Sequence, residues 1–93
     1  MNKLDYQYPL AADWSTEEII DAVQFFENVE KAYEQGISRE EFMRSYRRFK
    51  EIVPGKADEK NLCDEFEEVS GYSSYRAVKK ARESEDGEKI KMN

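Results

Sequence analysis

The 93-residue chain has no histidine and a single cysteine, Cys63. Without histidine there is no Cys–His or Ser–His pair, no side chain that normally titrates near neutrality, and few ways to build a zinc site. One cysteine excludes an internal disulfide. No apolar run reaches the length of a signal peptide or a membrane span, and the first residues, Met1-Asn2-Lys3-Leu4-Asp5, are polar. Together these features favour the cytoplasm. An excess of positive charge is also missing: the formal net charge is −6, which argues against gross affinity for nucleic acid. With two prolines and four glycines, the chain carries no low-complexity linker, and it reads as one domain.

What is present is helical. Ser15 and Glu18 have the spacing of a capping box, and Trp14 with Ile19 that of a hydrophobic staple. Glu17 and Glu18 sit at the positive end of the helix dipole. Ile19, Ala22, Val23, Phe26, Val29 and Tyr33 follow on one stripe, with Ile20, Phe25 and Ala32 off it. This predicts a central helix over about 16–35, apolar around more than half its girth and closed by Gly36.

The entry device repeats at Ser38 and Glu41, with Ile37 and Phe42 as a second staple. Phe42, Tyr46, Phe49 and Val53 form the stripe of a helix over 39–53, ended by Pro54-Gly55. So short a link forces an antiparallel hairpin. Asp58 is the expected cap of a third helix, about 58–70, carrying Leu62, Phe66 and Val69 and stopped by Gly71. A fourth, about 73–83, carries Tyr75, Val78 and Ala81. Residues 1–14 read as an extended arm that lays Tyr6 or Tyr8 and Leu10 on the first helix, over Ile20; Pro9 biases Tyr8 toward extended backbone. Residues 84–93, charged or small, read as a disordered tail. The expected fold is all-α: a small four-helix up-and-down bundle of two helical hairpins with an extended N-terminal arm, spanning 1–83.

Charge is sorted by helix. The first and third helices each set six acidic residues against one lysine, whereas the fourth, over 73–82, has four basic residues and no acid. Asp64, Glu65, Glu67 and Glu68 are oxygen ligands of the kind a hard cation takes. No calcium-loop pattern or Glu-x-x-His pair accompanies them, and no metal or cofactor is expected. Arg44, Arg47 and Arg48 on the second helix could hold phosphate, but Glu40 and Glu51 stand one turn from Arg44 and Arg47 and neutralise that face. The serines near Ser73 lack a base or an oxyanion elbow, so no catalytic residue is assigned. Cys63 reads as a small core residue, not a reactive thiol.

Tyr72, Tyr75, Arg76, Lys79, Lys80 and Arg82 remain. Arg76 and Lys80 repel one turn apart. Either the acids of a neighbouring helix offset that cost, or a partner's acidic surface does, with the tyrosines as anchors. These six residues are the candidate partner-binding site.

Two stretches, Tyr6-x-Tyr8-Pro9-Leu10-x-x-Asp13-Trp14-Ser15-Thr16-Glu17-Glu18 and Glu65-Phe66-Glu67-Glu68-Val69-Ser70-Gly71-Tyr72-Ser73-Ser74-Tyr75-Arg76, with Phe49-Lys50-Glu51-Ile52-Val53-Pro54 between them, resemble the YktA-like uncharacterised protein family of Bacillus and related Firmicutes. The resemblance covers nearly the whole chain apart from the tail. It implies a compact helical protein of the bacterial cytoplasm and carries over no catalytic or ligand residue. The expected role is a non-enzymatic adaptor that binds a protein, without direct nucleic-acid or membrane contact. The alternative is an acidic regulator whose first and third helices mimic phosphate toward a nucleic-acid-binding protein.

Overall fold

A computed structural model describes residues 7–92, and these form four helices and one two-residue β-ladder. In chain order these are α1 (Thr16–Glu34), β1 (Ile37–Ser38), α2 (Arg39–Ile52), α3 (Lys56–Ser70), α4 (Ser74–Glu83) and β2 (Lys89–Ile90). The small all-α bundle expected from hydrophobic periodicity is present.

The capping box of α1 forms in full. Ser15 Oγ accepts from Glu18 N at 3.1 Å, and Ser15 N donates to Glu18 Oε1 at 2.9 Å. At α2 only half of the device is made: Ser38 Oγ accepts from Glu41 N at 3.2 Å, but the return bond is absent. The Ser38 backbone lies in β1 instead, opposite Lys89. Helix α3 begins two residues before its expected cap, after Gly55, with no side-chain cap. Asp58 consequently falls in the first turn, where its charge still complements the dipole.

Helices α1 and α2 pack most extensively, and α4 rests on α1, α2 and α3. The centre is aromatic. Phe25 stacks on Phe49 at 4.6 Å between centroids, Phe26 meets Phe49 edge-on at 5.4 Å and Phe66 at 4.7 Å, and Phe25 reaches Phe42 at 5.8 Å. All five phenylalanines are sealed from solvent; burying each side chain stabilises the fold by about 1.5–3 kcal/mol. A polar chain crosses the α1–α2 seam: Gln24 Nε2 donates to Asn28 Oδ1, and Asn28 Nδ2 donates to Ser45 Oγ. The oxygen and the amino group of the buried Asn28 side chain each thereby have a partner.

The arm departs from expectation. Tyr8 stacks over Phe26 and Phe66, and its hydroxyl donates to the buried Glu30 carboxylate at 2.9 Å. Leu10 is exposed, and Ile20 is not covered, remaining 60% accessible. Tyr6 lies outside the described residues.

The largest correction concerns residues 84–93, expected to be a disordered tail. Through Met92 the segment is ordered and returns to the α1–α2 link. Ile90 pairs with Ile37 and is fully buried, Met92 N donates to Ala32 O at 2.7 Å, and Arg39 N donates to Glu88 O at 2.9 Å. Gly36 permits this closure. Its φ is +94°, and a Cβ there would stand 2.8 Å from Lys89 Cδ.

Candidate functional site: the outer face of α4 and the cleft beside it

Gly71, at φ +84°, turns the chain out of α3, and Ser73 caps α4 by accepting from Arg76 N at 3.2 Å. Ala77 and Ala81 are fully buried, and Ser74 and Val78 nearly so, letting α4 sit close on the core. The same 3.6-residue period turns Tyr75, Arg76, Lys79, Lys80 and Arg82 outward.

Tyr72 does not join them. Its ring stacks on Tyr33 at 4.7 Å and 11°, and its hydroxyl donates to Glu34 Oε2 at 2.8 Å. Burial, and then that carboxylate, push its phenol up to about 12. The Tyr33 hydroxyl donates to Ser73 O and accepts from Ser73 N. This tyrosine pair fastens the start of α4 to α1. Arg82 leans over the Tyr46 ring, its guanidinium carbon 5.6 Å from the centroid, and Nη2 donates to Tyr46 Oη at 3.4 Å.

Arg76, Lys79 and Lys80 are exposed and form no ion pair with any described residue, while Tyr75 is 45% accessible. No α3 acid forms an ion pair with them among the described residues, and Asp64 accepts from Lys60 within its own helix, Glu59 from Lys50 of α2. On α2 the expected pairings of Arg44 with Glu40 and Arg47 with Glu51 are also replaced. Glu40 accepts from Gly87 N, and Glu51 accepts from Arg48, which reaches Asp21 of α1 as well. Glu40 is taken by a residue distant in sequence, and Glu51 by the arginine three residues before it.

Beside α4 a cleft of about 650 Å³ opens toward α2 and α3. Phe25, Cys63 and Val78 lie at its base, and Tyr46 and Tyr75 contribute rings. Its rim carries Lys56, Lys60, Lys79 and Arg82, with Glu59 as a lining acid already bonded to Lys50 at 2.7 Å and to the Tyr46 hydroxyl at 2.9 Å. Burial and the Glu59 carboxylate push the Tyr46 phenol up to about 12. Burial likewise pushes the Cys63 thiol up to about 11, so the thiol is protonated at neutral pH and is not a nucleophile there.

Ser74 adds a polar feature to the cleft lining. It is 1% accessible, and its hydroxyl has no hydrogen-bond partner among the described residues. The Cys63 sulfur is close enough for the hydroxyl to favour the thiolate slightly, but a thiol is too weak a partner to satisfy it.

The donor set suits holding an anion with an apolar body, since it offers cations around an aromatic floor. Of the six residues assigned from the sequence to a partner-binding surface, Tyr75, Lys79 and Arg82 also line this cleft, whereas Lys56, Lys60, Glu59 and Ser74 are not among them. No spacing within one helix signals these, because four helices supply the cleft.

The profile of the uncharacterised protein family UPF0223 matches residues 5–90. The chain is 64% identical to the UPF0223 protein YktA of Bacillus subtilis (strain 168) over 89 residues, covering 96% of this chain and all of that one. It is 58% identical to a UPF0223 protein of Lysinibacillus sphaericus, covering 96% and 94% of the two chains. Against a UPF0223 protein of Oceanobacillus iheyensis the identity is 59%, covering 89% and 94%.

Proposed function

We propose that this chain, which belongs to the uncharacterised protein family UPF0223, is a cytoplasmic interaction module without catalytic activity that docks an acidic protein segment along the outer face of α4. One observation carries the reading: Arg76, Lys79 and Lys80 stand exposed and without an ion pair among the described residues, in a chain whose net charge is −6. Arg76 and Lys80, one turn apart, destabilise an isolated helix by about 0.2–0.5 kcal/mol, and an acidic partner reverses that sign. Exposed Tyr75 supplies the rigid aromatic anchor that interfaces favour. Tyr72, expected in the same surface, is held by Tyr33 and Glu34 and drops out of the docking face.

The phosphate-mimic reading has less support. It needs the α1 acids free, yet Glu18 closes the capping box, Asp21 binds Arg48, Glu30 binds Tyr8 and Glu34 binds Tyr72.

Cross-linking from position 75 in native cytoplasm tests the proposal. Replacing Arg76, Lys79 and Lys80 with glutamate is expected to remove the captured partner, and added salt to weaken capture. Reversing Arg44 and Arg47 on α2 is expected to leave capture intact. An unchanged partner in the α4 triple variant overturns the reading.

A further inference from the structure

We infer that the cleft between α2, α3 and α4 is a binding site for a small amphipathic anion, an aromatic body bearing one carboxylate. Three independent features converge there. The cleft, about 650 Å³, falls in the range of small-ligand pockets. Tyr46 and Tyr75 line it, and Tyr75 is 45% accessible, so a flat apolar body finds a ring to stack on. Lys79 and Lys56 on its rim form no ion pair among the described residues, and Arg82 leans over Tyr46 from the same side, so the opening is cationic. A carboxylate between these side chains gains charge-assisted hydrogen bonds.

Inorganic phosphate meets the cations but leaves the exposed Tyr75 ring wet. A neutral aromatic covers that ring but leaves the cations without a counter-charge. The amphipathic anion does both. The site is separable from the docking face, because Arg76 and Lys80 do not line the cleft, although Tyr75 and Lys79 border both.

Calorimetric titration of the full chain with 2-naphthoate, 2-naphthalenemethanol and inorganic phosphate tests this directly. Naphthoate is expected to bind at least about tenfold more tightly than either control, a margin of about 1.4 kcal/mol. Amide shifts in a nuclear magnetic resonance spectrum are expected to cluster at Cys63, Ser74 and Val78. Lys79→Gln with Arg82→Gln, both on the exposed face, is expected to lower naphthoate affinity about tenfold and leave the alcohol unaffected. Arg76→Glu with Lys80→Glu, which disables the docking face, is expected to leave naphthoate binding unchanged. Equal affinity for naphthoate and either control, or indifference to the Lys79/Arg82 pair, overturns the inference.

Discussion

Ile90 lies opposite Ile37 in a two-residue antiparallel ladder, and its side chain is completely withdrawn from solvent. The pairing makes the C-terminal segment a strap across the α1–α2 link. Arg39 fixes it further, donating through Nε to Ala81 O at 2.7 Å and through Nη1 to Asp86 Oδ1 at 2.8 Å. A charged stretch is thus held by buried Ile90 and half-buried Met92, by backbone bonds, and by the side chains of Arg39 and Glu40.

Ile90→Ala is expected to destabilise the fold by about 2–5 kcal/mol, as deleting a buried aliphatic side chain does. Urea unfolding of the variant and of a chain ending at Glu83 measures this. Unaltered midpoints in both would mean that the strap adds nothing to the core.

The strap is also expected to loosen in acid. The Gly87 N–H, followed by Glu40's own amide, holds the Glu40 carboxyl below its ordinary 4.5. A depressed carboxyl contributes stability that is present above about pH 4.5 and is lost as pH falls through the lower, folded value. Protection against amide exchange at Gly87 and Ile90, relative to the intrinsic rate at each pH, should therefore fall below pH 4.5, and Glu40→Gln should abolish that pH dependence. Protection that is flat with pH in the wild type would contradict the bond's role.

At the alkaline end the sign is opposite. Tyr46 and Tyr72 keep their protons to about 12, against an ordinary 10.0. Raised phenols contribute stability that is whole below pH 10 and is lost between 10 and 12. Burial also raises the Tyr8, Tyr33 and Tyr75 phenols, so ultraviolet titration is expected to show most tyrosines ionising above 10, with Tyr46→Phe removing one late phenol and Glu59→Gln bringing it earlier. Simple titration of every tyrosine near 10 would refute the assignment.

Cys63 should be inert in the folded protein. It is 3% accessible, with its thiol near 11, so at pH 8 its thiolate is roughly two orders of magnitude scarcer than that of an ordinary cysteine. Reaction with a disulfide reagent is expected to be slow in buffer and fast in denaturant. Equal rates would place the thiol at the surface.

Docking on α4 and ligand binding in the cleft make different demands on this framework. The first requires an exposed helix face that stays put, which the Tyr72–Tyr33 stack and the Ser73 cap provide. The second requires a rigid floor, which Phe25 and Val78 provide because both are packed into the core.

The sequence by itself determined the four helices, the Ser15 capping box, the aromatic stripes that meet at Phe26 and Phe49, and the outward set of α4 cations. All of these follow from period and cap chemistry, which act over a few residues. Tertiary structure alone decided that Ile90 returns to Ile37, that Glu40 binds Gly87 rather than Arg44, and that Tyr72 turns to Glu34 and away from Tyr75. It also decided that Ser74 sits unpartnered in the wall of a cleft. Each of these depends on residues far apart in the chain reaching one place, and no local pattern records which distant groups the packed core will bring within bonding distance.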